Sequence, residues 1–241
     1  MGLTLTVLGA SGSYPGPGQA CSGYLVRTGS TAVWVDAGSG TLANLQEHVS
    51  LFDVDAVVLS HDHPDHWTDL QGFSVAFQYV VGGNGEPVPV YGPAPVGAAA
   101  SRYLEPFEWH EVADGAVAAI GDLTFRFSRT DHGNETLAMR VEGAGKVLGY
   151  SADSGSGWTL SQLGPGLDLA LCEATYLQDR EDTMQHLSGR QAGTQARDAG
   201  AARLVVTHVW PTLDRAAVAA EAAAAFGQPV VAAETGLVVT L

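Results

Sequence analysis

Behind an apolar stretch, Ala56-Val-Val-Leu59, the chain runs straight into Ser60-His61-Asp62-His63-Pro64-Asp65-His66, and no other segment narrows the choice of folds so far. An apolar stretch of that kind reads as a strand buried on both faces. The polar run then emerges at the strand's C-terminal end. Four metal-capable side chains, His61, His63, Asp65 and His66, fall within six positions. In extended chain, residues i and i+2 point the same way, so His61 and His63 can present two imidazoles to one cation. Asp65 and His66 stand at the start of a predicted helix, Trp67 to Tyr79, and can face a second. A solvated His/Asp loop, or Asp65 acting as a helix cap, explains any one of these residues. Neither explains four, because a packed strand end has little other use for so many polar groups.

The remaining pattern alternates short strands with helical stretches. Leu3-Thr-Leu-Thr-Val-Leu8 has the period-two alternation of a half-buried strand and empties into the glycine- and proline-rich loop GASGSYPGPG. Strands are predicted at Gly23 to Arg27 and Thr31 to Val35, a helix over Thr41 to Val49, and a closing helix over Ala216 to Phe226 stopped by Gly227. Val230-Val231 and Leu237 to Leu241 read as closing strands. The two halves also match. Leu3-Thr-Leu-Thr-Val resembles Leu123-Thr-Phe-Arg-Phe, and the stretch from Tyr24 to Asp36-Ala-Gly-Ser-Gly40 resembles Leu137 to Asp153-Ser-Gly-Ser-Gly157. Ala56-Val-Val-Leu-Ser-His61 resembles Leu204-Val-Val-Thr-His208. Any two hairpins look alike, but three matches in one order predict a duplicated unit of roughly 120 residues, 1–120 and 121–241, within a single domain spanning 1–241. Such a duplication places a site on its pseudo-two-fold axis.

Composition excludes several classes. At 241 residues the chain can bury about 70% or more of its unfolded surface. With 46% hydrophobic and 15% charged residues it is not a disordered chain, and no apolar run of about 20 residues offers a membrane span. A net charge of −15 repels polyanions, so broad capture of RNA or DNA duplex is not expected, and a small anionic substrate needs local cations. Two cysteines, Cys21 and Cys172, make no disulfide framework, and the start shows no basic, apolar leader. The expected location is the cytoplasm.

A pair of cations needs more ligands than the first cluster supplies. His132, Asp153 and His208 sit at the ends of predicted strands, where open sheets place their ligands. Alone, each has an ordinary explanation as a structural histidine or a turn-shaping Asp. Together with the first cluster they furnish the nitrogen and bridging-oxygen donors that two borderline metals require. His48 and His110 lack such surroundings and are assigned to the surface or to packing.

HDHPDH followed by spaced His132, Asp153 and His208 resembles the metallo-β-lactamase superfamily over nearly the whole chain, which implies an α/β fold, an αββα sandwich of two packed sheets. Cys172-Glu-Ala-Thr-Tyr176, then His186-Leu-Ser-Gly-Arg-Gln-Ala192, then Leu204-Val-Val-Thr-His208 is similar to the ribonuclease Z branch. GASGSYPGPG, HLSG and THVWP look like the atypical cyclic-nucleotide phosphodiesterases of actinobacteria. The resemblance implies two divalent ions, zinc first, with manganese or iron as alternatives. One is held by His61, His63 and His132, the other by Asp65, His66 and His208, with Asp153 bridging. Two such ions can share a hydroxide that attacks a phosphodiester. Asp65 would aim that hydroxide, and His186, oriented by Glu173, would protonate the departing oxygen. Next to Ser188, His186 also reads as an ordinary helix-start residue.

Enzymes of this branch that mature transfer RNA carry a long arm between the ligands matching His132 and Asp153. Here those residues are 153 − 132 = 21 positions apart, enough for a hairpin. The expected substrate is therefore a small anionic phosphodiester, a 3′,5′-cyclic nucleotide, hydrolysed by a soluble enzyme for which the resemblance allows a homodimer. The alternatives are a lactone or thioester hydrolase, an RNA 3′-end processing endonuclease, and a non-catalytic sensor. The last is expected to have lost ligands, and all seven positions are filled.

Overall fold

The computed structural model describes residues 2–81 and 86–241. Seven strands form the first sheet: β1 (Thr4–Gly9), β2 (Gly23–Arg27), β3 (Ala32–Ala37), β4 (Ala56–Val58), β5 (Pro89–Gly92) and β6 (Glu108–Glu111), with β14 (Val238–Thr240) beside β1. The second contains β7 (Val117–Ile120), β8 (Leu123–Arg129), β9 (Leu137–Gly143), β10 (Lys146–Tyr150), β11 (Leu169–Glu173), β12 (Leu204–Thr207) and β13 (Val231–Ala232).

Period-two alternation sorts their side chains into three apolar layers. Leu5 and Val7 of β1, Val33 and Val35 of β3, and Ala56 and Val58 of β4 meet Phe125, Met139, Leu169 and Leu171 between the sheets. The intervening Trp34 and Val57 face outward into a layer with Leu45 of α1 (Thr41–Leu45), Leu70 and Phe73 of α3 (Asp69–Ala76) and Val96 of α4 (Ala94–Ala99). On the far side Ala170, Cys172 and Val206 pack under Ala192 and Ala196 of α5 (Gly189–Asp198) and Val218 and Ala222 of α6 (Arg215–Phe226). The result is the expected αββα sandwich. Among the described residues no helix is long and apolar enough to cross a membrane.

The sheets share strand order and sense. From β14 to β3 and from β7 to β10 neighbours run antiparallel; from β3 to β6 and from β10 to β13 they run parallel. Two details of the repeat differ from the sequence expectation. The boundary at 120 does not divide the sheets, because β7 belongs to the second and the C-terminal β14 returns to pair with β1 of the first. The third sequence match joins β4 to β12, whereas strand order equates β4 with β11 and β12 with β5. Parallel strands buried on both faces all read as similar apolar runs, so their sequences do not distinguish neighbours.

Helix boundaries differ as well. The helix after the histidine run starts earlier than expected, as α2 (Pro64–Trp67), and is interrupted at Thr68, whose hydroxyl donates back to the Pro64 carbonyl at 2.8 Å. The remaining strands and α6 lie close to their expected positions, with Gly227 in the left-handed conformation that ends α6.

Candidate metal centre

Pro64 organises the first half of the site. It fits the first turn of α2 and holds His63 before it in extended conformation (φ −67, ψ 136). His61 and His63 therefore project from extended chain, while Asp65 and His66 project from a helix. The other candidates arrive at strand ends: His132 after β8, Asp153 after β10, and His208 directly after β12.

Two groups form. Ligand atoms of His61, His63, His132 and Asp153 lie within 4.8 Å of one another, as do those of Asp65, His66 and His208. Asp153 spans both, with Oδ2 3.5 Å from His61 Nε2 and Oδ1 3.3 Å from His66 Nε2 and 3.4 Å from His208 Nε2. His208 Nε2 is 3.2 Å from Asp65 Oδ2, and His132 Nε2 is 3.2 Å from His63 Nδ1. Donor atoms bound at 2.0–2.2 Å around a tetrahedral cation lie about 3.3–3.6 Å apart. His61 Nε2, His66 Nε2 and Asp153 Oδ1 are buried without a hydrogen-bond partner. Buried polar atoms are normally satisfied, so these converging orphans fit a cation between them.

The electrostatics point the same way. Burial disfavours protonated His61 and holds its pKa well below the ordinary value, with His66 adding to the effect, and burial and His132 lower His63 likewise. Both are thus neutral donors. His66 goes the other way: burial opposes its charge, but Asp153, Asp65 and Asp36 outweigh it and raise the pKa well above the ordinary value. Asp65 and Asp153 also resist protonation despite burial, through His66 and His208, and for Asp153 His61 too. Three buried carboxylates around imidazoles demand positive charge.

The rings of His61, His66, His132 and His208 are held from behind. Asp36, fully buried at the end of β3, accepts His66 Nδ1 at 2.8 Å, the Ser60 amide at 2.7 Å, the Ser60 hydroxyl at 2.9 Å and the Tyr150 hydroxyl at 2.6 Å. Ser60 Oγ in turn meets His61 Nδ1 at 3.0 Å. His132 Nδ1 donates to the Gln185 carbonyl at 3.0 Å, and the Ser13 amide donates to Asp65 Oδ2 at 2.8 Å. Ser13, Asp36, Ala152 and His208 all adopt positive φ, a costly conformation for residues with a side chain, and all belong to this site or adjoin it. At Gly38 a Cβ would run into the Asp65 backbone carbonyl, and at Gly12 into that of His208, so glycine is what lets these segments approach the ligands.

His186 lies beside the cluster, its ring stacked on His208 at 5.3 Å and tilted against His132 at 5.1 Å. A nitrogen of His186 groups with Asp153 and His208, but its Nδ1 is engaged by Glu173 Oε1 at 3.0 Å. Glu173 is buried and also accepts the Ser154 amide at 2.6 Å, the Leu187 amide at 3.1 Å and the Thr175 hydroxyl at 2.7 Å. Burial opposes a charge on His186, but Glu173 outweighs it and pushes the pKa up to about 9. Cations nearby would press it down again. The ring is 14% exposed against 1% for Glu173, so one face remains open at the mouth of the site. Ser188, two residues on, caps α5 through a capping box with Gln191, leaving His186 free of that task.

The structure thus gathers all nine candidate residues in one place. His110 lies elsewhere, stacked on Tyr91 and paired with Glu108, and the backbone carbonyl of His48 accepts from Arg27. Sequence reasoning used Asp36 only as a repeat marker opposite Asp153. Ser60, Tyr150 and Thr175 carried no signal of their own, being hydroxyls on or just beyond apolar strands.

The β-lactamase superfamily domain matches residues 31–209, and the chain belongs to that superfamily as a metal-dependent hydrolase of its ribonuclease Z-like branch. The uncharacterized protein Rv1339 of Mycobacterium tuberculosis is 36% identical over 242 residues, covering 95% of this chain and 88% of that protein. The probable metallo-hydrolase YhfI of Bacillus subtilis is 31% identical over 221 residues, covering 86% and 87%. Its crystal structure superimposes with a TM-score of 0.92 at 29% identity, over 99% of both chains. Ribonuclease Z of Methanopyrus kandleri is 27% identical over 277 residues, covering 98% and 97%.

Proposed function

We propose that this protein is a cytoplasmic phosphodiesterase, one catalytic unit over residues 1–241, that opens a small cyclic phosphodiester, a 3′,5′-cyclic nucleotide. Two divalent cations, zinc in the first place, would be held by His61, His63 and His132 on one side and Asp65, His66 and His208 on the other, with Asp153 between them. Bound there, such ions supply Lewis acidity, lowering the pKa of water and neutralising phosphoryl charge.

The observation that carries the reading is the His186–Glu173 pair beside that cluster. A sugar oxygen leaves poorly as an alkoxide and needs a proton. His186 holds one at its outer nitrogen while Glu173 fixes Nδ1, sets the ring plane and favours the protonated form. Asp65, steadied by the Ser13 amide, accepts a hydrogen bond from the attacking water and aims it. A thioester expels a thiolate, which depends less on such a donor. Size selection is consistent with this. The connection from His132 to Asp153 is taken up by the tight β9–β10 hairpin, and a net charge of −15 offers no track for a nucleic-acid backbone. A relative named ribonuclease Z supports phosphodiester cleavage as the chemistry of this branch.

The test is a substrate panel run on one preparation of known metal content: cyclic AMP, cyclic GMP, 2′,3′-cyclic nucleotides, bis(p-nitrophenyl) phosphate, a lactone and a thioester. Turnover of a 3′,5′-cyclic nucleotide with close to two metals per chain is expected. Turnover of the lactone or thioester alone would overturn the proposal.

A further inference from the structure

Thr175 occupies a position that the proposed reaction does not use. It is fully buried, two residues beyond Glu173 and just past the end of β11, and its side chain turns to meet that of Glu173. Its Oγ1 lies 2.7 Å from Glu173 Oε2 and 2.9 Å from His208 Nδ1. A hydroxyl has one proton to give. Both oxygens of Glu173 already accept backbone amides, from Ser154 and Leu187, so the carboxylate acts as acceptor on each side and the Thr175 proton goes to it. The lone pair left on Oγ1 must then accept from His208 Nδ1–H. This fixes the imidazole with Nε2 turned toward Asp65 and Asp153, as a donor for a cation.

We infer that Thr175 is a positioning residue for the second cation: it transmits the Glu173 carboxylate to His208, so that a single carboxylate orients the proton donor His186 directly and the metal ligand His208 through a hydroxyl. The same arrangement stands independently on the other sheet. There Asp36 takes His66 Nδ1 directly and reaches His61 Nδ1 through the Ser60 hydroxyl, at 2.9 and 3.0 Å. Two instances of carboxylate, hydroxyl and imidazole behind one cluster point to a device for setting tautomers. The inference rests on reading His208 as a ligand, and its test does not depend on the substrate.

Zinc binding to metal-free protein, measured by competition with a chromophoric chelator, separates the two ions. In Thr175→Val the shape of the side chain is kept and the hydroxyl lost, leaving His208 Nδ1–H unpaired. One of the two ions should bind about 10–100-fold more weakly, the loss usual for removing a partner behind a ligand, while the other is unchanged. Thr175→Ser should bind both as wild type does. Thr175→Ala, read in parallel with thermal melting of each metal-free variant, provides a second variant without the hydroxyl. Glu173→Gln should weaken the same ion, and in the double variant with Thr175→Val the two losses should not add. Unchanged affinity for both ions in either folded variant, equal weakening of both, or failure of Ser to rescue would overturn the inference. Absence of zinc binding by the wild-type protein would instead overturn the metal centre itself.

Discussion

Asp36 in the first sheet and Glu173 in the second do similar work on unequal terms. Each is buried at a strand end, and each holds one imidazole directly and another through a hydroxyl. Asp36 serves two candidate ligands, His66 and His61, both fully buried. Glu173 serves one candidate ligand, His208, and one imidazole that stays partly exposed, His186. The strands do not correspond, since β3 matches β10 in sheet order and β11 matches β4. The likeness therefore comes from what an imidazole donor needs behind it, and not from duplicated positions. On the proposed reading, the difference marks where reactivity enters: one sheet spends its carboxylate wholly on holding candidate ligands, the other divides it between a candidate ligand and the proposed proton donor.

Changes at the two carboxylates should break this comparison unequally. Asp36→Ala strands the Ser60 amide and hydroxyl, the Tyr150 hydroxyl and His66 Nδ1 in a dry site. It should cost about 3–5 kcal/mol in denaturant unfolding of the metal-free protein and lower the content of both metals. An effect confined to one metal would contradict its service to both His61 and His66. Glu173→Gln keeps the volume but sets an amide NH2 against groups that themselves donate. With both metal sites saturated, turnover should fall by about tenfold, less than on removing His186, because the carboxylate orients and charges that ring without giving the proton itself. A loss as large as that of His186→Ala would give Glu173 a direct chemical role. Tyr176→Phe is the smallest change. The Tyr176 hydroxyl donates to the His186 carbonyl at 2.5 Å and so helps hold the loop that carries the ring. Its loss should cost about 1 kcal/mol in stability and a few-fold in turnover, with metal content unchanged.

What could be read from the sequence follows the range of the interactions. His61, His63, Asp65 and His66 were visible because six consecutive positions and one proline determine their geometry. His132, Asp153 and His208 were visible through their place at strand ends. Asp36 was seen only as the partner of Asp153 in the repeat, because its contact with His66 spans 30 residues that no local pattern encodes. Ser60 and Thr175 were unreadable for a different reason: a hydroxyl near a strand end is common, and its role depends on which carboxylate lies opposite. Pairing of β14 with β1 joins the two ends of the chain, and the similarity of β4 to β12 reflects shared burial, so hydropathy misplaced both the repeat boundary and one strand equivalence.

The most direct test of the central claim compares wild type and His186→Ala on two esters, with metal content measured on the same samples. On a 3′,5′-cyclic nucleotide, whose departing sugar oxygen is strongly basic, the variant should lose about 10²- to 10⁴-fold in turnover. On bis(p-nitrophenyl) phosphate, whose leaving group needs little protonation, the loss should be far smaller, and metal content should be unchanged in both assays. Equal losses on the two esters, or loss of metal in the variant, would contradict a proton-donating His186 beside an intact metal centre.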